Sequence, residues 1–570
     1  MAITKTNNRM IDGSVVNVLD YGVKNDGTEP SGDSNATRIQ SAINDASGQV
    51  VYFPKGTYSI NTALSVSSNV SLHFNDSTII TTLTGVDSSL ITVTAQNVVI
   101  KDATFNCSST TGLSKVITAS DTASGIEIYN VKVKNLNHSS TDNYIYAIAI
   151  NIGIDFKVIN CEFSDLSVPG NTTEGDLNGS LRGIYVGYSK VGSSSITALG
   201  TGIIQNIKGT NLTGYEDTDL IHLISNDTSL KGDFRIKNVS GKNVGKRLVK
   251  MQADGCNVDS VYADATNINN SGIDYMFSIV SSYQGNHIVS NVSGKGKFKT
   301  AIDCKDSTVI NTLNVVSDYA SGSIPSGIHT LILCEGNVSS TSTLSNVVIK
   351  NVTTSGYWGN LIYQRRNTST TDIGNTHNLT INNIRTYNST VNSCIKIEAD
   401  TQDATMSVLD LSDLVLGTLS NTAYIIKTTS TDSGAVERIN LLKVRDITIL
   451  GSQTMPIACD FRCDKINVNN ITDYTDASDI VQAVARNGGV ILGVKDLSGS
   501  AIAKRLGNIV SSNKTVLDGG YSTDTTTHLW RIDGGDNFIV KNNVTSSVGL
   551  VVTSVNSPTN IQQFNNHAFA

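Results

Sequence analysis

The fold of this chain is decided by a short segment that recurs between residues 182 and 427. Three successive copies read Arg182-Gly-Ile-Tyr-Val-Gly187, Asp219-Leu-Ile-His-Leu-Ile224 and Arg247-Leu-Val-Lys-Met-Gln252. Further copies begin at residues 275, 300, 330, 360, 393 and 423. The copies are spaced by roughly 25 to 37 residues, a period that is typical of solenoids and propellers.

Each copy alternates apolar and polar side chains, which is typical of a half-buried strand. The apolar positions, such as Ile184 and Val186, are predicted to point inward. The positions between them are predicted to point outward, and strands stacked about 4.8 Å apart would align them into one exposed face. The pattern therefore predicts an all-β fold, a parallel β-helix, with function on that face. Its outward positions are Tyr185, His222, Lys250 with Gln252, Ser278, Asp303 with Lys305, Glu335, Tyr363, and Lys396 with Glu398.

The composition fits a solenoid and narrows the class of partner. Charged residues make up 16% of the 570-residue chain, proline occurs only 6 times, and the net charge is −7. A mildly acidic chain argues against nucleic acid or an anionic membrane as partner. No apolar run approaches the length of a membrane span, and the N-terminus shows no signal-peptide segment. We therefore expect a protein made in the cytoplasm and not inserted into a membrane.

The cysteines and the short motifs point to simple chemistry. The 8 cysteines are scattered, and Cys304 and Cys334 fall on inward positions of the repeat. We expect buried thiols rather than disulfides. The sequence shows no metal-ligand spacing, phosphate-binding loop or dinucleotide fingerprint, so it predicts neither a metal nor a cofactor.

Four regions follow one another along the chain. Residues 1–13 are polar and are interpreted as a linker or attachment segment. Residues 14–60 form an N-terminal cap, in which Asp33-Ser-Asn35 offers the N-cap of a short helix. Residues 61–475 carry the β-helix signal, and Asn at matching turn positions predicts left-handed backbone and side-chain ladders. Residues 476–570 are predicted to be a β-rich section that serves oligomerisation, with a short helix beginning at Asp479.

The first 60 residues resemble a known family. Leu19-Asp-Tyr-Gly22, the helix, and Val51-Tyr-Phe-Pro-Lys-Gly-Thr-Tyr58 are similar in order and spacing to the start of the pectate-lyase-like β-helix domains of many bacteriophage tailspikes. The resemblance implies a right-handed parallel β-helix in a homotrimer, joined through its N-terminus to a phage tail or baseplate protein. It also implies a virion protein, made in the host cytoplasm, whose partner is a bacterial surface polysaccharide. The helix would cover the first rung, whose free edge would otherwise template aggregation.

The densest polar cluster lies in two successive copies of the repeat. Cleavage of a glycosidic bond requires a protonated acid and a second carboxylate, about 5 to 9.5 Å apart. Asp217 and Asp219 fall in that window as residues i and i+2 of an extended chain, and crowded like charges raise one pKa. The alternative is a turn whose acids cap neighbouring rungs and neutralise Arg247. The candidate acids are Glu216, Asp217 and Asp219, and the candidate substrate-binding residues are His222, Arg247, Lys250 and Gln252.

The same stretch resembles a catalytic motif of polygalacturonases. Asp217-Thr-Asp-Leu-Ile-His222 is similar to a degraded form of their Asn-Thr-Asp-Gly motif, with Asp219 in the place of the catalytic aspartate. Arg247-Leu-Val-Lys250 loosely resembles their Arg-Ile-Lys substrate clamp. The paired aspartates of the motif are missing from the next rung, and no Gly-His-Gly follows. Asp219 also shares parity with inward Ile221, so it points outward only if the chain bends before the strand.

Two further sites are candidates. Asp303 and Glu335 are acids on the outward positions, one rung and two residues apart, or roughly 8 Å, which leaves room for an attacking water. A solvated surface pair of Asp303 with Lys305 is the alternative. The aromatic and basic group of Tyr357, Trp358, Tyr363, Arg365 and Arg366 is a candidate glycan subsite, because exposed rings and arginine forks bind sugars and carboxylates. Buried packing of Trp358 is the alternative there.

The leading functional hypothesis is a tailspike depolymerase that hydrolyses a capsule or O-antigen polysaccharide with a carboxylate pair. The alternative within enzymes is a lyase, in which Lys250, His222 or a tyrosine abstracts a proton and Arg247 neutralises the substrate carboxylate. A third hypothesis is an adhesive spike that binds glycan without cutting it. A secreted bacterial pectinase is disfavoured because no export signal is evident.

Overall fold

The computed structural model describes residues 15–568 with short gaps. The gaps are residues 47, 84, 86–87, 111, 139–143, 170–178, 190, 192–195, 215–216, 226, 228, 269–273, 284, 320–328, 336–343, 366–375, 400–405, 418–423, 431–438, 452–456, 476, 499–504, 511–513, 524–527 and 546–549. The predicted attachment segment 1–13 therefore lies outside the described residues. The chain divides into two units, the first extending to His287 with Gly296–Phe298 and the second comprising the rest.

Unit 1 begins with a helix that has the predicted position and face. Helix α1 (Asn35–Asp45) starts at Ser34, whose hydroxyl accepts a hydrogen bond of 3.2 Å from the Thr37 backbone N–H. Its apolar residues at helical spacing are buried, which confirms the predicted capping helix. They are Ala36, Ile39, Ala42 and Ile43.

The rest of unit 1 is almost entirely strand. A short 3₁₀ turn, Val18–Tyr21, lies between β1 and α1. The strands are β1 (Val16–Asn17), β2 (Val50–Tyr52), β3 (Thr57–Ile60), β4 (Leu64–Val66), β5 (Ser71–Thr81), β6 (Ser89–Val93), β7 (Val99–Asn106), β8 (Lys115–Ala119), β9 (Ile126–Tyr129), β10 (Lys132–Lys134), β11 (Ile145–Asn151), β12 (Phe156–Ile159), β13 (Glu162–Ser167), β14 (Leu181–Gly187), β15 (Thr201–Thr213), β16 (Thr218–Ile224), β17 (Asp233–Val244), β18 (Arg247–Gln252), β19 (Cys256–Ala265) and β20 (Ser278–Ser282).

These strands stack in parallel columns, so that each turn of the chain adds one strand to each column. The first column contains β8, β11, β14, β16, β18 and β20. The second contains β9, β12 and the first halves of β15, β17 and β19. The third contains β10, β13 and the second halves of the same long strands. This is the predicted parallel β-helix.

Asparagine ladders mark the corners between columns, as predicted. Asn206 has a left-handed backbone (φ 56°), and its side-chain amide donates to Asn160 at 2.7 Å and accepts from Asn238 at 2.9 Å. Asparagine adopts this conformation more readily than other residues with a β-carbon, because its short polar side chain bonds locally. A second ladder joins Asn243 to Asn211 at 3.0 Å.

Asn206→Ala is expected to lower the free energy of unfolding by about 2 kcal/mol, because it removes two amide hydrogen bonds and places a β-carbon in a left-handed conformation. Urea denaturation of the two proteins measures the loss. Asn206→Gly is the matched control, since glycine accepts the conformation and loses only the amide contacts. Equal losses in the two variants would contradict the conformational part of this argument.

Unit 2 is built in the same way. Its strands, including β21, of which only the end residues belong to unit 1, are β21 (His287–Gly296), β22 (Thr300–Cys304), β23 (Thr308–Ser317), β24 (Thr330–Glu335), β25 (Leu344–Arg365), β26 (Thr376–Ala399), β27 (Met406–Leu416), β28 (Tyr424–Ser430), β29 (Ile439–Ile449), β30 (Ile457–Cys463), β31 (Lys465–Asp473), β32 (Asp479–Ala485), β33 (Gly489–Asp496), β34 (Arg505–Val510), β35 (Thr515–Asp518), β36 (Tyr521–Ser522), β37 (His528–Asp533), β38 (Asp536–Lys541), β39 (Val544–Thr545), β40 (Leu550–Val555), β41 (Thr559–Phe564) and β42 (His567–Ala568).

Parallel pairing in unit 2 continues through the point where the sequence pattern weakens. Strand β30 pairs with β32, and β31 pairs with β33, so residues on both sides of 475 share one architecture. The helix expected from Asp479 is wrong, because Asp479–Ala485 is a strand. Its apolar residues are buried by strand pairing on both sides, and this tertiary context overrides the local helical spacing.

Two remaining expectations concern thiols and membranes. All 8 cysteines lie within the described residues, and each is a buried thiol outside any disulfide, as predicted. The sulfur atoms of Cys304 and Cys334 are 3.4 Å apart in the core of unit 2. Among the described helices, none combines the length and the hydrophobicity that crossing a bilayer requires.

Candidate active site

Three of the predicted outward positions in unit 1 align, but they do not form an exposed face. Ser278, predicted to follow Lys250, is in register with Arg247 instead. Tyr185, His222 and Lys250 stack in register on β14, β16 and β18, and all three are buried. Chain that follows the strands packs over them: Val191 packs in one cluster with Tyr185, and the Tyr283 ring lies 5.4 Å from the Lys250 ammonium. The predicted solvent-exposed wall is therefore wrong, because period-two alternation shows that two faces differ and not that one of them meets water.

A second register position, three residues earlier, completes the cluster. Arg182, Asp219 and Arg247 are aligned on the same three strands. Both Leu220 and Ile221 are buried, and a β-carbon added at Gly209 would lie 2.8 Å from the Leu220 side chain, so Leu220 faces the interior of the β-helix. The chain therefore bends after Asp219. The Asp219 carboxylate lies on the same side as His222, as its outward orientation required.

Asp217 is the centre of this charge cluster. Its Oδ2 lies 2.7 Å from Lys250 Nζ and 3.2 Å from Arg182 Nη2, and its Oδ1 lies 3.0 Å from Arg247 Nη1. The cations are buried, whereas 27% of the Asp217 side chain is exposed. Asp217 is thus the member of the cluster through which a ligand in solvent can be contacted.

Asp219 lies behind Asp217 and is fully buried. Its Oδ1 accepts a hydrogen bond of 3.2 Å from Arg247 Nη1, so the two carboxylates share one guanidinium nitrogen. Its Oδ2 lies 3.5 Å from His222 Nδ1 and accepts no hydrogen bond from the described residues. Ligand atoms of Asp217, Asp219 and His222 all lie within 4.8 Å of one another.

Aromatic rings and an amide hold the charged groups in place. The Arg182 guanidinium lies 4.5 Å from the Tyr146 ring and 5.3 Å from the Tyr185 ring, which are stacked on each other. Arg247 donates to the Tyr283 hydroxyl at 3.2 Å. His222 Nε2 lies 2.7 Å from Gln252 Oε1. With Gln252 Oε1 as acceptor, Nε2 carries the proton of a neutral imidazole and Nδ1 presents its lone pair to Asp219.

The environment moves the pKa values of the two carboxyl groups in opposite directions. Burial, the largest influence at both, opposes ionisation. At Asp217 the three cations outweigh burial and hold the pKa well below its ordinary value. At Asp219 burial prevails, assisted by the charge of Asp217, and the pKa is raised. Asp217 is therefore held ionised beside a carboxyl group that binds its proton more tightly than an ordinary aspartate does.

The basic groups are shifted as well. Burial, followed by the charge of Arg247, lowers the pKa of Lys250 to about 8. Burial and the neighbouring cations lower the pKa of His222 well below its ordinary value, so the imidazole is neutral. With His222 neutral, the three cations Arg182, Arg247 and Lys250 outnumber the two carboxyl groups. Although Asp217, Asp219 and His222 are close enough to share a metal ion, this excess of positive charge opposes binding of a cation.

Six of the predicted site residues are thus brought together, and others were missed. The six are Asp217, Asp219, His222, Arg247, Lys250 and Gln252, whereas Glu216 lies outside the described residues. Arg182 was not predicted, although it opens the first copy of the repeat in register with Asp219. Tyr283 lies outside the repeat and had no signal in the sequence.

The predicted pair of Asp303 and Glu335 is placed differently from expectation. Asp303 is buried, which contradicts its predicted position on an exposed face. Asp303 is in register with Leu333 of β24, and Leu333 is in register with Tyr363 of β25. The residues at this position on the next two rungs are therefore not acidic. Lys305 is half-buried, and the side chain of Glu335 lies outside the description. A catalytic role for this pair remains a prediction.

The aromatic subsite predicted around Trp358 is not an exposed surface. Trp358 is fully buried, its ring lies 5.2 Å from the His329 ring, and its Nε1 donates to Thr354 Oγ1 at 3.0 Å. Tyr363 is also buried, with the Lys396 ammonium 4.7 Å from its ring. A buried tryptophan usually finds such a hydrogen-bond partner. The side chain of Arg365 and the whole of Arg366 are not among the parts of the chain that the structure describes.

Comparison with known proteins supports the architecture. Residues 15–193 match the sequence profile of a family described as rhamnogalacturonase A/epimerase, pectate lyase-like. The predicted pectate-lyase-like β-helix is confirmed. The match covers about a third of the chain and supports, in coarse terms, a protein that acts on polysaccharide. No curated protein sequence matches this chain.

Several solved structures are similar to the chain at low identity. ORF18 of Geobacillus virus E2 is 15% identical with a TM-score of 0.34, over 55% of this chain and 59% of that protein. PfbA, a surface adhesin of Streptococcus pneumoniae, is 12% identical with a TM-score of 0.35, over 92% and 93%. A mutant of the PL6 family alginate lyase AlyGC is 10% identical with a TM-score of 0.34, over 97% and 100%. This chain thus spans 59% of the Geobacillus virus protein.

Proposed function

We propose that this chain is a phage tailspike depolymerase that hydrolyses a bacterial surface polysaccharide, a capsule or an O-antigen, at the Asp217–Asp219 pair. The observation that carries the proposal is that two carboxyl groups bound to one arginine have pKa values shifted in opposite directions. Such pairs supply the ionised and the protonated carboxyl group that glycoside hydrolysis requires. The match of residues 15–193 to a pectate-lyase-like family supports the class of substrate.

Asp217 is assigned as the ionised carboxylate that attacks the sugar or activates water, because it is the partly exposed member. Asp219 is assigned as the acid that protonates the leaving oxygen. Since Asp219 is fully buried, substrate binding must move the side chains that cover it.

The net positive charge of the cluster favours an acidic glycan. The cluster contains three cations, Arg182, Arg247 and Lys250, and only two carboxyl groups. Its net charge is therefore positive even when both carboxyl groups are ionised. A substrate carboxylate at the exposed edge of Asp217 would be attracted by this excess, and the low dielectric of a buried site strengthens the attraction. Attachment to a phage tail or baseplate through the N-terminus, assembly as a homotrimer and a place in the virion belong to the same proposal, on the resemblance of residues 19–58 to tailspike domains.

A lyase is the second candidate, and Lys250 is the observation that favours it. A lysine with a pKa of about 8 is partly neutral at physiological pH and can abstract a proton, while Arg247 neutralises a uronate carboxylate. An adhesive spike that binds without cutting is the third. Purified protein incubated with a panel of capsular and O-antigen polysaccharides separates the three. Hydrolysis yields new reducing ends alone, elimination also yields an unsaturated sugar that absorbs ultraviolet light, and an adhesin yields neither.

The two enzymatic mechanisms are expected to depend on pH with opposite signs. Hydrolysis requires Asp217 ionised and Asp219 protonated, so kcat/KM is expected to fall as pH rises through the raised pKa of Asp219. Elimination requires neutral Lys250, so kcat/KM would rise through about pH 8. Release of reducing ends across the pH range measures the profile. A rise through about pH 8 would contradict the hydrolytic assignment and move the base to Lys250.

A further inference from the structure

A groove lies on the second column of unit 1, away from the charge cluster of the first column. Its volume is about 390 Å³, and its lining comes from β9, β12, β15 and β17 and the residues that precede them. Four successive rungs contribute, so the groove runs about 14 Å along the axis of stacking. Its polar side chains are Glu127, Asp155, Lys157, Thr201, Asp233 and Arg235.

The strand beneath the groove has a glycine at an inward-facing position. Gly202 lies in register between Phe156 and Phe234. A β-carbon at this position would lie 2.4 Å from the Phe156 ring and 2.8 Å from the Phe234 ring, so packing beneath the floor excludes any larger residue. Gly125, one end of the groove, has φ 67°, a conformation that glycine adopts without strain.

The walls of the groove present both hydrogen-bond donors and acceptors. Glu127, Lys157, Ile203 and Arg235 occupy one register position on four rungs. Lys157 Nζ lies 2.7 Å from Glu127 Oε1, and Arg235 lies 3.0 Å from Asp233. Ile203 is half-buried between the two cations and supplies an apolar patch. Three acids and two bases line the groove, so its charge is close to balanced, unlike that of the Asp217 cluster.

We infer that this groove binds a second stretch of the polysaccharide, a neutral and polyhydroxylated one, apart from the site of cleavage. Sugar hydroxyls both donate and accept, which suits walls whose carboxylates and cations are already paired and each retain further hydrogen-bonding capacity. A sugar ring placed over Ile203 would bury its apolar face. A strongly charged ligand would gain little from a balanced groove. The inference rests on the proposed action on polysaccharide, and it adds an anchoring site that holds a long chain while the Asp217 cluster acts.

The test compares two double variants in an Asp219→Asn background, which prevents cleavage during binding. Lys157→Ala with Arg235→Ala removes the groove cations. Lys208→Ala with Lys237→Ala is the matched control, because these lysines are similarly exposed, are paired with acids in the same unit and lie outside the lining. The probe is the intact polysaccharide that the wild-type protein cleaves or, if none is cleaved, each purified capsular and O-antigen polysaccharide of the panel. Affinity electrophoresis measures retention.

The groove variant is expected to bind the polymer about tenfold more weakly than the control, as the loss of two hydrogen bonds implies. With Asp219 restored, it is expected to raise KM for the polymer and to leave both kcat and the cleavage of short fragments unchanged. Equal thermal unfolding of the two variants excludes misfolding as the cause. Equal affinity would overturn the second site. Full cleavage by Asp219→Asn would instead overturn the proposed catalytic pair, and the second site would then be tested by the KM for the polymer in the cleaving proteins, where an equal KM in the groove and control variants would overturn it. A wild-type protein that retains no glycan would overturn both proposals.

Discussion

Asp219→Asn is expected to reduce polysaccharide cleavage by about 10²- to 10⁴-fold, the usual contribution of a positioned acid. The amide keeps the shape of the carboxyl group and can still accept the hydrogen bond from Arg247 that is 3.2 Å long in the native protein. It cannot deliver a proton to a leaving oxygen. Release of reducing ends from the cleaved polysaccharide measures the loss, and near-native thermal unfolding is expected because the amide has the same shape and keeps the acceptor oxygen for Arg247.

Asp217→Asn tests the other carboxyl group of the pair. It is expected to reduce cleavage about as much as Asp219→Asn does. It is also expected to destabilise the fold, since it removes the negative charge that three buried cations contact. Asp259→Asn is the matched control, because Asp259 is a partly exposed acid 3.8 Å from Lys237 on the flank of the same unit. Full activity in Asp219→Asn would contradict the assignment and transfer the prediction to Asp303 and Glu335.

Arg247→Ala is expected to lower the free energy of unfolding by about 3 to 5 kcal/mol, the usual cost of removing one partner from a buried ion pair. Arg247 is buried, contacts both Asp217 and Asp219, and donates to Tyr283. Without it, Asp217 would lose one of its three cations, and the buried Oδ1 of Asp219 would lose its hydrogen-bond donor. Urea denaturation measures the change.

Two control variants test the reason given for the effect of Arg247→Ala. Arg247→Lys retains the charge but loses the planar fork, and it is expected to recover only part of the stability. Arg445→Ala removes an exposed arginine that lies 3.4 Å from Asp410, and its effect is expected to be no more than about 1 kcal/mol. A loss of that small size in Arg247→Ala would mean that the cluster is solvated, and the buried charge site would have to be abandoned.

Local patterns were sufficient for the parts of the fold that depend on local chemistry. Ser34 and the apolar spacing after it predicted α1, since capping and amphipathic periodicity act within one turn of helix. Asparagines at matching turn positions predicted the left-handed corners, because few other residues with a β-carbon accept that backbone. The same kind of reasoning failed at Asp479, where strand pairing on both sides overrides helical spacing.

The candidate site was predictable only in part. The repeat placed Asp219 and His222 on one rung and Arg247 and Lys250 on the next. The strand register confirms this arrangement, because Asp219 pairs with Arg247 and His222 with Lys250. It could not show that Asp217 would bind three cations, since Arg182 and Arg247 reach it from strands 35 and 30 residues away. Nor could it show that Tyr283 closes over Lys250, because Tyr283 follows a strand and belongs to no repeat.

The sequence by itself determined that the chain is a parallel β-helix with a capped start and an aligned row of polar side chains. Alternation, turn residues and caps are short-range properties, and stacking multiplies them from rung to rung. Only the tertiary structure decided that this row is buried, that Asp219 faces Asp217 and that the two carboxyl groups differ in their affinity for a proton. Burial and charge depend on atoms that come from distant rungs, and the pKa of a group responds to all of them at once.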